Sequence, residues 1–289
     1  MDRPSPREVG APTTPHLHRE GRVQAGWDRR PLLAEYADKI AARDVVARTV
    51  GPQYLSELLA VASDPRDLDL AALSTRYVVK PSHGSGAVIV VHDQADPDLR
   101  LPELPDDRGW TGKIAWIRPE HLDRARFDAM CDLWLRHDYW RALGSTECAY
   151  KDVPHRLMGE EFLEGDGHSA RDLKFHVAHG RVSWFHVNLI REPTTYITCF
   201  DRRGEVIPVR YVCDPAPEPI ALPDNLDEMI RIAEALGTDT DIVRVDLYDV
   251  GGRIVFGELT NYPAGGRACF DPPEYDEILG ADWHPPRHY

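Results

Sequence analysis

"DIVRVDLYDVGGRIVFGELTNYPAGG", residues 241–266, decides how the chain is read. Alternation turns Val243, Val245 and Leu247 to one face of a strand and Arg244, Asp246 and Tyr248 to the other. On the returning strand Glu258 and Thr260 share a face opposite Leu259. A two-residue turn at Gly251–Gly252 would pair Asp246 with Gly257 and throw Glu258 to the far side. A three-residue loop puts Asp246 across from Glu258 and Leu247 on the side of Val255 and Leu259, and hydrophobic phasing selects that register. Two carboxylates side by side repel unless a cation lies between them. An oxygen-liganded Mg2+ carried by nucleotide phosphates satisfies that need. A solvated sheet face on which Arg244 or Arg253 offsets the charge satisfies it too, and spacing alone leaves both readings open.

A second stretch, "YVVKPSHGSGAVIVVHD" (77–93), reads as a hairpin from Tyr77–Lys80 to Ala87–His92. Gly84 and Gly86 would free backbone N–H groups into a phosphate-sized concavity, with the Lys80 ammonium at the strand end. An ordinary turn with a surface lysine is the plainer alternative.

Around these segments the pattern is mixed. Residues 1–30 are proline-rich and polar, read as a flexible leader. "PLLAEYADKIAARDVV" from Pro31 has helical spacing, a short helix is expected over Gln53–Val61, and a longer one over about His121–Trp140. "RLMGEEFLEGDG" (156–167) reads as a strand and turn, and "DLKFHVAHGRVSWFHVNLI" (172–190) as a hairpin reversing at His179–Gly180. "NLDEMIRIAEALG" (225–237) is an amphipathic helix with Asn225 as N-cap and Glu228 as its capping-box partner. Trp110, Trp116, Trp134 and Trp140 read as packing residues. This order gives an α+β chain with antiparallel sheets. It runs from a helical N-terminal part through a hairpin and a helix to strands, a helix and strands. Neither GxGxxG after the first strand nor GxxxxGK[ST] occurs.

Composition narrows the function classes. With 48 acidic against 34 basic residues the formal charge is −14, which repels an extended nucleic acid or anionic membrane but leaves room for a local cationic pocket. The five cysteines are scattered without a CxxC pair, which argues against a disulfide framework or zinc ribbon. No apolar run of about 18 residues is present, so a cytoplasmic protein without a membrane span is expected.

The pieces "YADKIAARDVV", "YVVKPSHGSG", "GEEFLE", "DLKFHVAHGRV", "VRVDLYDVGGRIVFGELTNYPAGG" and "FDPPEYDEILG" follow one another in an order that resembles the ATP-grasp superfamily. The resemblance runs over about residues 31–280 and is strongest to the branch similar to teichuronopeptide-biosynthesis proteins. It implies ATP held between two α+β subdomains, a small one over residues 76–155 and a large one over 156–289 that carries the metal site, preceded by a helical region 31–75. Lys39, Lys80, Lys174 and the turn His83, Gly84, Ser85 and Gly86 would face the phosphates. Glu161, Phe162 and Leu163 would form the adenine hinge, and Glu164 would be a ribose ligand. Asp246 and Glu258 are the implied Mg2+ ligands, with Asn261 or Thr260 as the third where many members of the family have Glu-x-Asn. Arg244 and Arg267 are candidates to hold the substrate carboxylate or an acyl phosphate, and His186, Asn188 and Arg191 lie toward an acceptor.

The chemistry implied is ATP-dependent joining of a carboxylate to an amine through an acyl phosphate, in natural-product or cell-surface polymer biosynthesis. A kinase acting on a hydroxyl or sugar and a non-catalytic nucleotide-binding module are the alternatives. The partners implied are a small-molecule or peptide acid and an amine. Nothing in the sequence names either, and an aminoacyl-tRNA or carrier protein has no motif of its own here.

Overall fold

The computed structural model describes residues 28–103, 114–144, 147–165, 170–191, 194–266 and 268–284. Residues 1–27 of the expected leader, Trp110 and Arg267 lie outside them. The last leader residues are fixed: Asp28 is buried, and Arg30 pairs with it at 2.6 Å and with Asp241 at 2.9 Å.

Two five-stranded, mostly antiparallel sheets organise the chain. The first has the order β1 (Leu58–Ala62), β5 (Leu157–Glu161), β2 (Arg76–Pro81), β3 (Val88–His92), β4 (Ile114–Ile117), with only β3–β4 parallel. Tyr77, Val79, Ile89, Val91, Ala115, Ile117 and Leu157 turn one face of it onto Phe127, Met130, Cys131 and Trp134 of helix α3 (Arg124–Arg136). Alternation then leaves Val78, Lys80, Val90, Trp116, Met158 and Glu160 on the opposite face. The second sheet has the order β11 (Arg253–Thr260), β10 (Ile242–Val250), β6 (Arg171–Ala178), β7 (Arg181–Arg191), β8 (Thr194–Asp201). Its apolar face, with Leu173, Phe175, Val245, Leu247, Phe256 and Leu259, packs on α4 (Leu226–Leu236) and on Val45 and Val46 of α2 (Ala41–Thr49).

Several local expectations change. The helix expected from Pro31 is two helices, α1 (Pro31–Ala37) and α2, broken at Asp38, whose carboxylate caps the Ile40 amide at 3.0 Å and binds Arg156 at 2.6 Å. The helix expected over Gln53–Val61 is only a 3-10 turn, Pro52–Tyr54, followed by β1. β1 pairs with β5, so the first sheet draws strands from both sides of the 76–155 segment. Asn225 does not cap α4: its amide donates to Gly252 O at 3.0 Å, while Glu228 accepts from the Tyr54 hydroxyl at 2.6 Å. A short helix, α5 (Tyr275–Gly280), and the two-stranded ladder of β9 (Arg210–Tyr211) with β12 (Phe270–Asp271) complete the fold. None of the described helices is long and apolar enough to cross a membrane.

Candidate active site

Asp246 and Glu258 are cross-strand partners, as expected, but the register is reached differently. The β10–β11 turn is the two-residue one: Val250 pairs with Arg253, and Gly251 and Gly252 both take positive φ (59° and 91°) as a tight hairpin turn requires. Left alone, that turn would set Asp246 opposite Gly257. A bulge intervenes: Leu247 pairs with Phe256 and Asp246 with Glu258, so Gly257 is the extra residue. The bulge also puts Phe256, rather than the expected Val255, on the core side with Leu247. A Cβ at Gly257 would lie 2.7 Å from Tyr248 Cε2 and 3.2 Å from the Asp246 carbonyl oxygen, so any other residue there must displace the ring and crowd the bulge's own backbone.

The polar face of the second sheet concentrates charge on this pair. Asp246 is buried and gripped at both ends: Arg244 donates Nε to Oδ1 at 2.6 Å and Nη2 to Oδ2 at 2.8 Å, and Lys174 Nζ donates to Oδ2 at 2.5 Å. Lys174, opposite Asp246 on β6, also binds Asp172 at 2.8 Å. Thr260 Oγ1 donates to Glu258 Oε1 at 2.8 Å and accepts from Arg244 Nη2 at 3.0 Å. Burial alone would raise the Asp246 and Glu258 carboxyls. Arg244 and Lys174 beside the first, and Lys39 with the same two cations beside the second, outweigh it and hold both below the usual carboxylate range. Asp172 goes the other way, because burial and the Asp246 charge exceed what Lys174 and Arg244 return. Its Oδ1 is buried without a hydrogen-bond partner among the described residues.

Lys39 joins the two sheets. It follows the break between α1 and α2, its amide donates to Ser82 O at 3.0 Å, and its Nζ donates to Gly84 O at 2.5 Å. The same ammonium stands 3.8 Å from Glu258 Oε2. The glycine turn and the carboxylate ladder therefore lie on either side of one side chain. Burial, then the nearby Lys80, pulls the Lys39 ammonium below its ordinary value against Glu258 and Glu160. Gly84 and Gly86 both have φ of 82°, a left-handed backbone that favours glycine. Lys80 is ion-paired with Glu160 on the neighbouring strand β5.

Other expected residues stand elsewhere. His83 turns its ring away from the turn into the first core, stacked on His155 at 3.8 Å with Nε2 3.1 Å from Trp134 O; only its backbone is left to serve a ligand. Burial, reinforced by His155, pushes its imidazole down to about 4. Asn261 is buried and donates Nδ2 to Leu33 O at 2.7 Å, tying β11 to α1, while Thr260 is the residue on the carboxylate face. His186 does share a face with Asn188 and Trp184 but is buried beside Tyr211, with Nδ1 3.2 Å from His176 Nε2. Burial first, then His176 and Arg244, drives it well below its ordinary value, so it is a neutral packed group rather than an open acceptor contact. Asn188 stands opposite Asp172, and Arg191 ends β7 with its side chain outside the described residues. Glu161, expected in the hinge, donates its amide to Glu57 O at 3.0 Å and turns its carboxylate to Arg253 at 2.7 Å, and Glu164 pairs with Arg76.

Asp172 and Glu160 were not singled out from the sequence. Asp172 sits two residues before Lys174 and alternation places it on the same face. Glu160 needed the β2–β5 register, which local pattern does not contain.

The chain belongs to the family described as TupA-like ATP-grasp, which it matches over residues 21–284. No curated protein matches it. Among solved structures it is similar to the ATP-grasp ligase PsnB complexed with minimal precursor, at 11% identity, with 80% of this chain and 54% of that chain covered and a TM-score of 0.42. It is also similar to D-alanine–D-alanine ligase from Bacillus anthracis complexed with ATP (14% identity, 78% and 55% covered, TM-score 0.44). A third is N5-carboxyaminoimidazole ribonucleotide synthetase from Thermus thermophilus (12%, 84% and 51%, 0.40). The chain spans about half the length of these structures.

Proposed function

We propose that this chain is an ATP-dependent carboxylate–amine ligase using magnesium, with ATP bound between the two sheets. The observation that carries the reading is the Asp246–Glu258 pair set against the glycine turn across Lys39. The donors present suit the metal: two carboxylates and the Thr260 hydroxyl are all oxygen, as Mg2+ requires. When bound, Mg–ATP would supply an electrophilic phosphoryl group whose leaving-group charge is already partly neutralised.

The residues of the chain do the rest by alignment and charge. The turn amides near Gly84 and Gly86 and the ammonium groups of Lys39, Lys80 and Lys174 would cradle the phosphates. Each lysine now holds a carboxylate or carbonyl, and phosphate oxygens would take over those bonds. Arg244 must then release one of its two bonds to Asp246, and its freed N–H groups face the substrate acid. Overall a carboxylate, an amine and ATP give an amide, ADP and inorganic phosphate. A small-molecule or peptide acid, a biosynthetic setting and a cytoplasmic location belong to this same proposal.

The test is a panel of acid and amine pairs assayed for ADP, inorganic phosphate and product mass. Equal release of ADP and phosphate with an amide product is expected. Glu258→Gln should cut Mg-dependent turnover about a hundredfold or more while the melting temperature stays close to that of wild type. ADP with a stable phosphorylated product would refute ligation, and full turnover in Glu258→Gln would refute the metal assignment.

A further inference from the structure

Lys80 can meet a phosphate only by leaving Glu160, with which it is ion-paired through Oε1, both side chains being mostly buried. Lys80 pairs with Met158 and Val78 with Glu160, so the two charges stand on one face of the first sheet, a diagonal step apart between β2 and β5. A carboxylate so placed competes with an incoming phosphate for the same ammonium. Parting the pair with nothing in exchange would leave a half-buried anion, which is strongly unfavourable.

A second donor is already in place on the other carboxylate oxygen. Ser56, buried in the link between the Pro52–Tyr54 turn and β1, donates its hydroxyl to Glu160 Oε2 at 3.0 Å. The direction of that bond is fixed. Ser56 Oγ also accepts from Arg43 Nη1 at 3.0 Å, so its single hydrogen is left for the carboxylate. Arg43 Nη2 separately holds the Ser56 carbonyl oxygen at 2.6 Å, which anchors the link whether or not the hydroxyl is there. Arg43 belongs to α2, whose Val45 and Val46 pack on the second sheet. The series Arg43, Ser56, Glu160, Lys80 therefore runs from that layer to the phosphate-facing lysine of the first sheet.

We propose that Glu160 is the counter-ion Lys80 gives up when it turns to a nucleotide phosphate, and that Ser56 is the positioning residue for that exchange. While Lys80 is on Glu160, the Ser56 bond shares the carboxylate with a salt bridge. Once Lys80 is on phosphate, the same bond meets an undivided negative charge and is stronger, so Ser56 favours the exchanged arrangement. This inference rests on the nucleotide reading above and adds to it a residue that stands behind the lysine rather than against the phosphates.

Calorimetric titration of ATP and of inorganic tripolyphosphate, each with Mg2+, tests the exchange. Ser56→Ala should weaken both ligands alike by about three- to tenfold, the worth of one hydrogen bond, with a melting temperature close to that of wild type because the Arg43 bond to the carbonyl survives. Ser56→Thr should restore most of the affinity. Glu160→Gln should bind tripolyphosphate at least as tightly as wild type, since the competing charge is gone, and adding Ser56→Ala to it should change nothing. A merely structural serine would cost the same in both backgrounds. Unchanged binding by Ser56→Ala, an equal loss in the Glu160→Gln background, or weaker binding by Glu160→Gln alone would overturn the proposal. A wild-type protein that binds neither ligand would refute the nucleotide reading itself.

Discussion

Gly257 is where a single methyl group should report on the whole site. In Gly257→Ala the new Cβ meets the Tyr248 ring at 2.7 Å and the Asp246 carbonyl oxygen at 3.2 Å. The ring can swing aside, but the carbonyl belongs to the bulge and moves only if the ladder moves. Overpacking of this kind costs about 1–3 kcal/mol. For a chain of this size each kcal/mol lowers the melting temperature by about 2–4 °C, so scanning calorimetry should find a drop of about 2–12 °C. Straightening the bulge would return Asp246 to a position opposite residue 257 and rotate Glu258 toward the core face. Mg-dependent ATP binding should therefore fall further than the stability loss alone explains. Adding Tyr248→Ala removes the ring contact and leaves the carbonyl contact, so the double variant should recover part of the melting temperature and little of the binding. A Gly257→Ala protein that melts with wild type and binds Mg–ATP normally would refute the steric account of the register.

Two further outcomes follow from the same geometry. Asn261→Ala should lower the melting temperature through the lost bond to Leu33 O and leave Mg2+ affinity in the ATP complex unchanged, whereas Thr260→Val should do the reverse; titration of both variants checks the assignment of roles. Acid should destabilise the fold through His83. Its folded value is pushed down to about 4, so between there and the ordinary value of about 6.5 the unfolded chain binds the extra proton; stability is complete above that window and falls as pH drops through it. The His83 contribution lost by pH 5 is about 2 kcal/mol, with His176 and His186 shifted in the same direction. Denaturant melts at pH 7 and pH 5 that coincide would refute it.

Much of the site was legible because its signals are local. The alternation in residues 242–248 sorted Arg244 and Asp246 from Val243, Val245 and Leu247, and the structure keeps that sorting. Lys80 and the two glycines after it read as strand end and turn, and the structure has them so. The Asp246–Glu258 pairing was also anticipated, but by way of a longer turn than the one present. Pattern cannot separate a three-residue loop from a two-residue turn plus a bulge, since both shift the register by one. His83 misled for a related reason: sequence places it in the turn, and only the packing of His155 and the Trp134 carbonyl shows which way the ring goes.

By itself the sequence determined two hairpins with glycine turns, their inward and outward faces, the amphipathic helix over Leu226–Leu236 and part of the charged set of the candidate site, Lys80, Arg244, Asp246 and Glu258. The tertiary structure decided that Leu58–Ala62 is a strand, that Lys174 and Arg244 both grip Asp246, that Asn261 anchors α1 while Thr260 faces Glu258, and that Trp116 meets Phe162 edge-on. The division has a physical cause. Side-chain direction along one strand is fixed by its own backbone, whereas register, edge position and ion-pair choice depend on which distant segment lies alongside.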